Sequence, residues 1–210
     1  MGRAQGAVTL AAEATIDEIQ AEERLRAYQY QLLARFLAAP PDAGLLRLAS
    51  GLEGDRTELG EALGALARLA SRSTPEAAAR EYHALFIGVT RGELLPYGSY
   101  YRTGFLYEQP LAELRKDMAG LGIARADEVK EPEDHIAALC DMMAGLITGG
   151  FGAPLGLAGQ RTFFETHLAP WAGRFFADLE GARAAMLYTP VGTTGRVFMA
   201  IEQAAFGMER

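Results

Sequence analysis

Ile19, Leu25, Tyr28, Leu32, Leu33, Phe36 and Leu37 recur mostly at three- and four-residue steps, the spacing that lines one face of an α-helix. Thr15 followed by Glu18 reads as a capping box at the start of this helix. Pro40-Pro41 ends it, because proline lacks the amide hydrogen that a helix interior needs. A shorter helix is expected over 42–52, closed by the region of Gly54. Leu59, Leu63, Leu66 and Leu69 mark the apolar face of a third helix over 57–71. Thr74 then caps a fourth, with Pro75 in its first turn, and this helix carries Tyr82, Leu85 and Phe86 before stopping near Gly88.

Residues 90–104 are dense in Gly, Pro and Tyr and read as a loop. Helix resumes over 109–118, with Pro110 in the first turn. A polar connector over 120–130 leads into Glu131-Pro132-Glu133, where Pro132 again marks a helix start. Ile136, Leu139, Cys140, Met143, Leu146 and Ile147 form that helix's apolar stripe. Glycines and Pro154 break the pattern over 149–159, and three last helices are expected over 160–168, 170–183 and 191–206. Val, Ile and Thr are sparse beside Ala, Leu, Glu and Arg, which favours helix over sheet. No period repeats, and no Ser/Gly-rich linker divides the chain. The pattern predicts an all-α, single-domain bundle of roughly eight or nine helices over 1–210, with a disordered lead-in at 1–14.

Composition narrows the function classes. Half of the 210 residues are hydrophobic and 22% are charged, so one core can be buried without staples. The net charge of −7 argues against a nucleic-acid partner, because such binders concentrate Lys and Arg against phosphates. A cationic partner is the more natural match. The single cysteine, Cys140, cannot form an internal disulfide, which fits a reducing compartment. Glu13 and Asp17 follow the short apolar stretch at 7–12 and spoil a signal-peptide reading. The least polar run, 142–159, is too interrupted by Gly and Pro to span a bilayer. A cytoplasmic protein without membrane insertion is expected.

Enzyme chemistry finds little support. Ser99, His135 and Asp134 can be combined on paper into a triad, but no Gly-x-Ser-x-Gly elbow surrounds Ser99. Cys140 and His135 stand about 140° apart on one helix, so they do not form a nucleophile pair. The three histidines lack any zinc-binding frame, and no phosphate-cradling Gly-Lys-Ser/Thr loop is present. Catalytic and metal-ligating residues are therefore expected to be none. Glu131, Glu133 and Asp134 are expected to crowd the first turn of an apolar helix. They complement the helix dipole there, or they form a dock for guanidinium groups. His135 either orients their neighbours or satisfies a local hydrogen bond. Tyr82, Leu85 and Phe86 have the ordinary spacing of a core face, which favours packing over ligand contact. Pro96, Tyr97, Ser99 and two further tyrosines place flat aromatic surface in the following loop.

Taken together, Glu81-Tyr82-His83-Ala84-Leu85-Phe86-Ile87-Gly88, Leu95-Pro96-Tyr97-Gly98-Ser99-Tyr100-Tyr101 and Glu131-Pro132-Glu133-Asp134-His135-Ile136 resemble the TorD/DmsD/NarJ family of redox-enzyme maturation chaperones. Phe164-Glu165-Thr166-His167-Leu168-Ala169-Pro170-Trp171 is similar to that family's C-terminal signature. The resemblance implies an all-helical, non-enzymatic protein. It implies binding of the twin-arginine leader, with the catalytic subunit, of a molybdopterin-dependent oxidoreductase of the formate dehydrogenase or DMSO-reductase type, held until its cofactor is inserted. Under this resemblance Tyr82, Leu85, Phe86, Pro96, Tyr97, Ser99, Glu131, Asp134 and His135 line or support the peptide groove. Many relatives have Trp where this chain has Tyr82. The resemblance also implies no resident cofactor, weak guanine-nucleotide binding in some members, and a monomer or helix-exchanged homodimer. Two alternatives stay open: an adaptor for a leaderless subunit, as in the NarJ branch, and a small helical hydrolase or nucleotide-binding protein.

Overall fold

A computed structural model describes residues 3–126 and 129–208, with side chains described from residue 21 onward. Ten α-helices run in chain order: α1 Arg3–Ala38, α2 Ala43–Ser50, α3 Glu58–Ala70, α4 Pro75–Tyr82, α5 Gly98–Thr103, α6 Gln109–Gly120, α7 Ile136–Thr148, α8 Leu157–His167, α9 Ala172–Glu180 and α10 Tyr188–Met208. The count exceeds the expected eight or nine because α5 forms within the stretch 90–104, whose composition predicts a loop. α1 begins at Arg3, so Thr15 stands within the helix and not at its start, and the side chains of residues up to 20 lie outside the described set. Among the described residues there is no strand, only one isolated bridge between Tyr97 and His135.

Thr74, the cap read from the sequence, accepts from the Ala77 amide, and Asp42 and Thr57 at two further helix starts accept from Leu45 and Gly60, each satisfying an orphan donor of a first turn. Pro75 and Pro110 occupy first-turn positions. The main departure is at α7. It begins at Ile136 with His135 as its cap, so Glu131, Pro132, Glu133 and Asp134 precede the helix. The carboxylates therefore do not crowd its first turn.

α1 and α7 lie along one another, and α10 packs on α9, α3 and α1. Tyr30, Leu33, Phe36 and Leu37 of α1 and Leu139, Cys140 and Met143 of α7 belong to one buried core with Phe175, Phe176 and Leu179 of α9. Tyr30 meets Phe198 of α10 edge to face at 4.7 Å, and Tyr188 at the start of α10 donates its hydroxyl hydrogen to Phe36 O at 2.7 Å. Cys140 is fully buried, which holds its thiol well above the ordinary range and makes it inert.

Candidate functional site

Main-chain hydrogen bonds stitch together the three stretches singled out above. After Tyr82 the helix widens into one π turn, His83–Ile87, closed by Gly88 N–H donating to His83 O at 2.7 Å. Gly88 has φ 63°, and a Cβ there would meet Arg91 O at 2.1 Å, so this reversal requires glycine. The returning chain covers the carbonyls left open by the π turn: Glu93 N–H donates to Ala84 O at 3.2 Å and Leu94 N–H to Leu85 O at 2.8 Å. Pro96 O then accepts the Ile136 amide at 2.9 Å, and Asp134 O accepts the Gly98 amide at 2.9 Å.

The expected acidic cluster divides into three separate roles. Asp134 is only 3% exposed, and its Oδ2 accepts the Ser99 amide at 2.7 Å. It ties the loop to the α7 entry and cannot face a guanidinium in solvent. Glu133 is also buried and is gripped by two N–H groups of Arg115 at 3.0 and 2.8 Å, with Arg125 at 3.7 Å. Burial pushes its carboxyl up, but the two guanidiniums more than offset this and hold it below the usual range. Glu131 alone is exposed, and it accepts the Tyr97 hydroxyl hydrogen at 2.5 Å. Burial and then the Glu131 charge raise the Tyr97 phenol, so Tyr97 stays protonated and donating.

His135 serves as a helix cap, with Nδ1 accepting the Ala137 amide at 3.1 Å and its ring edge-on to Tyr97 at 5.1 Å. Burial pushes its pKa down to about 4, against the pull of Glu131 and Asp134. Ser99 is fully buried with a hydroxyl that has no hydrogen-bond partner. A group sealed from solvent and lacking a base cannot attack a substrate, so the paper triad fails on geometry. Among the described residues no group of three or more His, Cys, Asp or Glu is placed to hold a metal ion. No helix among them is long and apolar enough to cross a membrane.

Beside this stitched region lies a cleft of ≈ 640 Å³. Tyr82, Phe86, Pro96, Tyr97, Glu131 and His135 line it. Leu85, Ser99 and Asp134 support it from within the core instead. The small side chains Ala34 and Ala38 of α1 and Ala137 and Ala138 of α7 leave the space open. Tyr82 and Phe86 meet at 4.9 Å and both rest on Tyr188, at 6.2 and 5.5 Å. Sequence reasoning did not anticipate Ile87, Ile123, Val129, Met142 and Phe151, nor Asp141 on the rim. Asp141 carried a readable signal, being the one charge within the apolar α7 sequence. Ile87, Val129 and Phe151 remain 52%, 46% and 39% exposed, which is unusual for large apolar groups sharing one concave surface. Among the described residues neither Glu131 nor Asp141 has a cationic partner, whereas Glu133 at the same cleft has two.

Residues 52–177 match the model of the nitrate reductase delta subunit family. A chaperone protein TorD from Vibrio cholerae serotype O1 is 30% identical over 153 residues, 69% of each chain. The TorD of Aliivibrio fischeri is 32% identical over 100 residues, covering 43% of this chain and 46% of that one. A crystal structure titled for redox enzyme maturation, from Archaeoglobus fulgidus, shares the fold with a TM-score of 0.54 at 22% identity. That match covers 85% of this chain and 93% of the other.

Proposed function

Since the chain belongs to the nitrate reductase delta subunit family, the TorD/NarJ family of redox-enzyme maturation chaperones, we propose that its cleft receives the twin-arginine leader of a molybdopterin-dependent oxidoreductase in the cytoplasm. The protein is a molybdoenzyme chaperone and not an enzyme. It holds the apo form of its client until cofactor insertion is finished and export follows. One observation supports this most directly: exposed apolar walls share one cleft with Glu131 and Asp141, two carboxylates that have no cationic partner among the described residues. A leader supplies the complement, with paired guanidiniums for the carboxylates and an apolar stretch for Phe86, Ile87 and Val129. Glu131 keeps the role expected from the sequence, whereas Asp134 holds the loop and Asp141 takes its place facing the peptide.

Calorimetric titration with a synthetic twin-arginine leader tests this reading. Binding is expected at low salt, and Glu131→Gln is expected to weaken it about tenfold, an effect that shrinks as salt screens the exposed charge. Absence of binding at low salt overturns the leader assignment. Deleting the leader from a co-purifying client then separates leader reading from an adaptor that grips the mature subunit alone.

A further inference from the structure

α7 presents Ala138, Asp141, Met142 and Gly145 along one face, at the i, i+3, i+4 and i+7 positions of a helix. The first three line the cleft. At Gly145 there is no side chain, and the ring of Phe151 occupies the place one would take: a Cβ on Gly145 would lie 2.3 Å from Phe151 Cε2. Phe151 reaches this position because the chain doubles back after α7. Gly149 ends the helix at φ 81° with its amide on Gly145 O. Gly150 N–H donates to Gly145 O at 2.7 Å, and Leu155 N–H to Leu146 O at 2.8 Å. Both ends of the short loop are thus tied to the last turn of α7. Leu155 O is held in turn by Gln160 Nε2 at 2.7 Å. A ring fixed in this way, lining the cleft yet 39% exposed, has neither the burial of a core residue nor the freedom of an ordinary loop side chain.

We propose that Phe151, seated on Gly145, is the end wall of the cleft and sets the size of the apolar side chain accepted against Ala138 and Met142. The proposal rests on the leader-binding reading for its natural occupant and adds a specificity-determining residue to that site. An end wall at van der Waals contact discriminates by the methylenes it excludes or touches, an effect of about tenfold or more per step. Phe151→Ala removes the wall, so the larger apolar side chains gain relative to the smaller ones. Gly145→Ala keeps the ring but unseats it, while a helical alanine is favourable to the α7 backbone.

The test titrates wild type, Phe151→Ala and Gly145→Ala with a leader series in which one apolar position is Ala, Leu or Phe. A parallel titration uses N-acetyl-leucinamide and N-acetyl-phenylalaninamide, read by NMR at Ala138 and Met142. Phe151→Ala is expected to shift the Phe-to-Leu preference about tenfold with unchanged dependence on Glu131, and Gly145→Ala to shift the same ranking. If the ranking is the same in all three proteins, the end wall is refuted while leader binding stands. If no leader binds the wild type, the leader reading fails, and the amide series alone decides whether Phe151 sets the size limit.

Discussion

His135 shows how one side chain can hold a charge-free role beside carboxylates. Its Nδ1 accepts the Ala137 amide, an acceptor role that protonation would abolish, and burial pushes its pKa from 6.5 to about 4. Between these values the unfolded chain binds a proton that the folded chain refuses, so stability falls as pH drops through that window. His167, lowered by burial despite Asp117, and Glu133, lowered overall by its arginines, act in the same direction. Comparison with His135→Asn isolates the cap, because asparagine still accepts at that position without titrating. Urea midpoints should decline less steeply with acidification in the variant. The difference in unfolding free energy should reach on the order of 3 kcal/mol near pH 4, and parallel profiles would show that His135 does not titrate there. The sequence left two roles open for this residue. Only the position of the Ala137 amide selects the local hydrogen bond.

At the scale of elements, Glu81 joins the first half of the chain to the last. Its carboxylate accepts the amides of Met186, Leu187 and Tyr188 at 2.7, 3.1 and 2.8 Å, closing the open start of α10 from α4. Glu93 likewise accepts the amides of Arg183 and Ala184 in the turn that precedes α10. Since Tyr82 and Phe86 stand on Tyr188, this cap also steadies the cleft wall. Glu81→Ala should lower the unfolding free energy by about 1–2 kcal/mol, read as a lower urea midpoint at an unchanged slope of the transition. A wild-type midpoint would mean that water replaces the carboxylate. No sequence rule reveals this cap, because its partners lie more than 100 residues away. α5 escaped for a related reason. Six residues starting at Gly98 carry no helical periodicity, and they are helical because Gly98 fits against Trp171 while Asp134 holds the Ser99 amide. Pro132 misplaced the start of α7 because Asp134 bonds the loop at 98–99 through both main chain and side chain, which keeps it out of the helix.

Across the whole molecule, α1, α8 and α10 are tied by a polar network within the bundle. Arg26 donates twice to Glu202, at 2.7 and 2.8 Å, and once to Gln160 at 3.0 Å, while Tyr30 donates to Glu202 at 2.9 Å. Glu202 is 1% exposed. Glu202→Ala leaves a half-buried guanidinium and a buried phenol without their acceptor, a loss of about 3 kcal/mol measurable by chemical denaturation. A loss below about 1 kcal/mol would show that the bundle relaxes around the gap. By itself the sequence determined the helical class, most helix bodies, the Thr74 cap, and the three stretches from which the family could be read. These depend on periodicity and on contacts within a few residues. Tertiary structure alone decided which carboxylates face the cleft, that His135 caps α7, and that Phe151 lies over Gly145. Those outcomes depend on burial and on partners distant in the chain, where an exposed and a buried aspartate have the same letter but opposite roles.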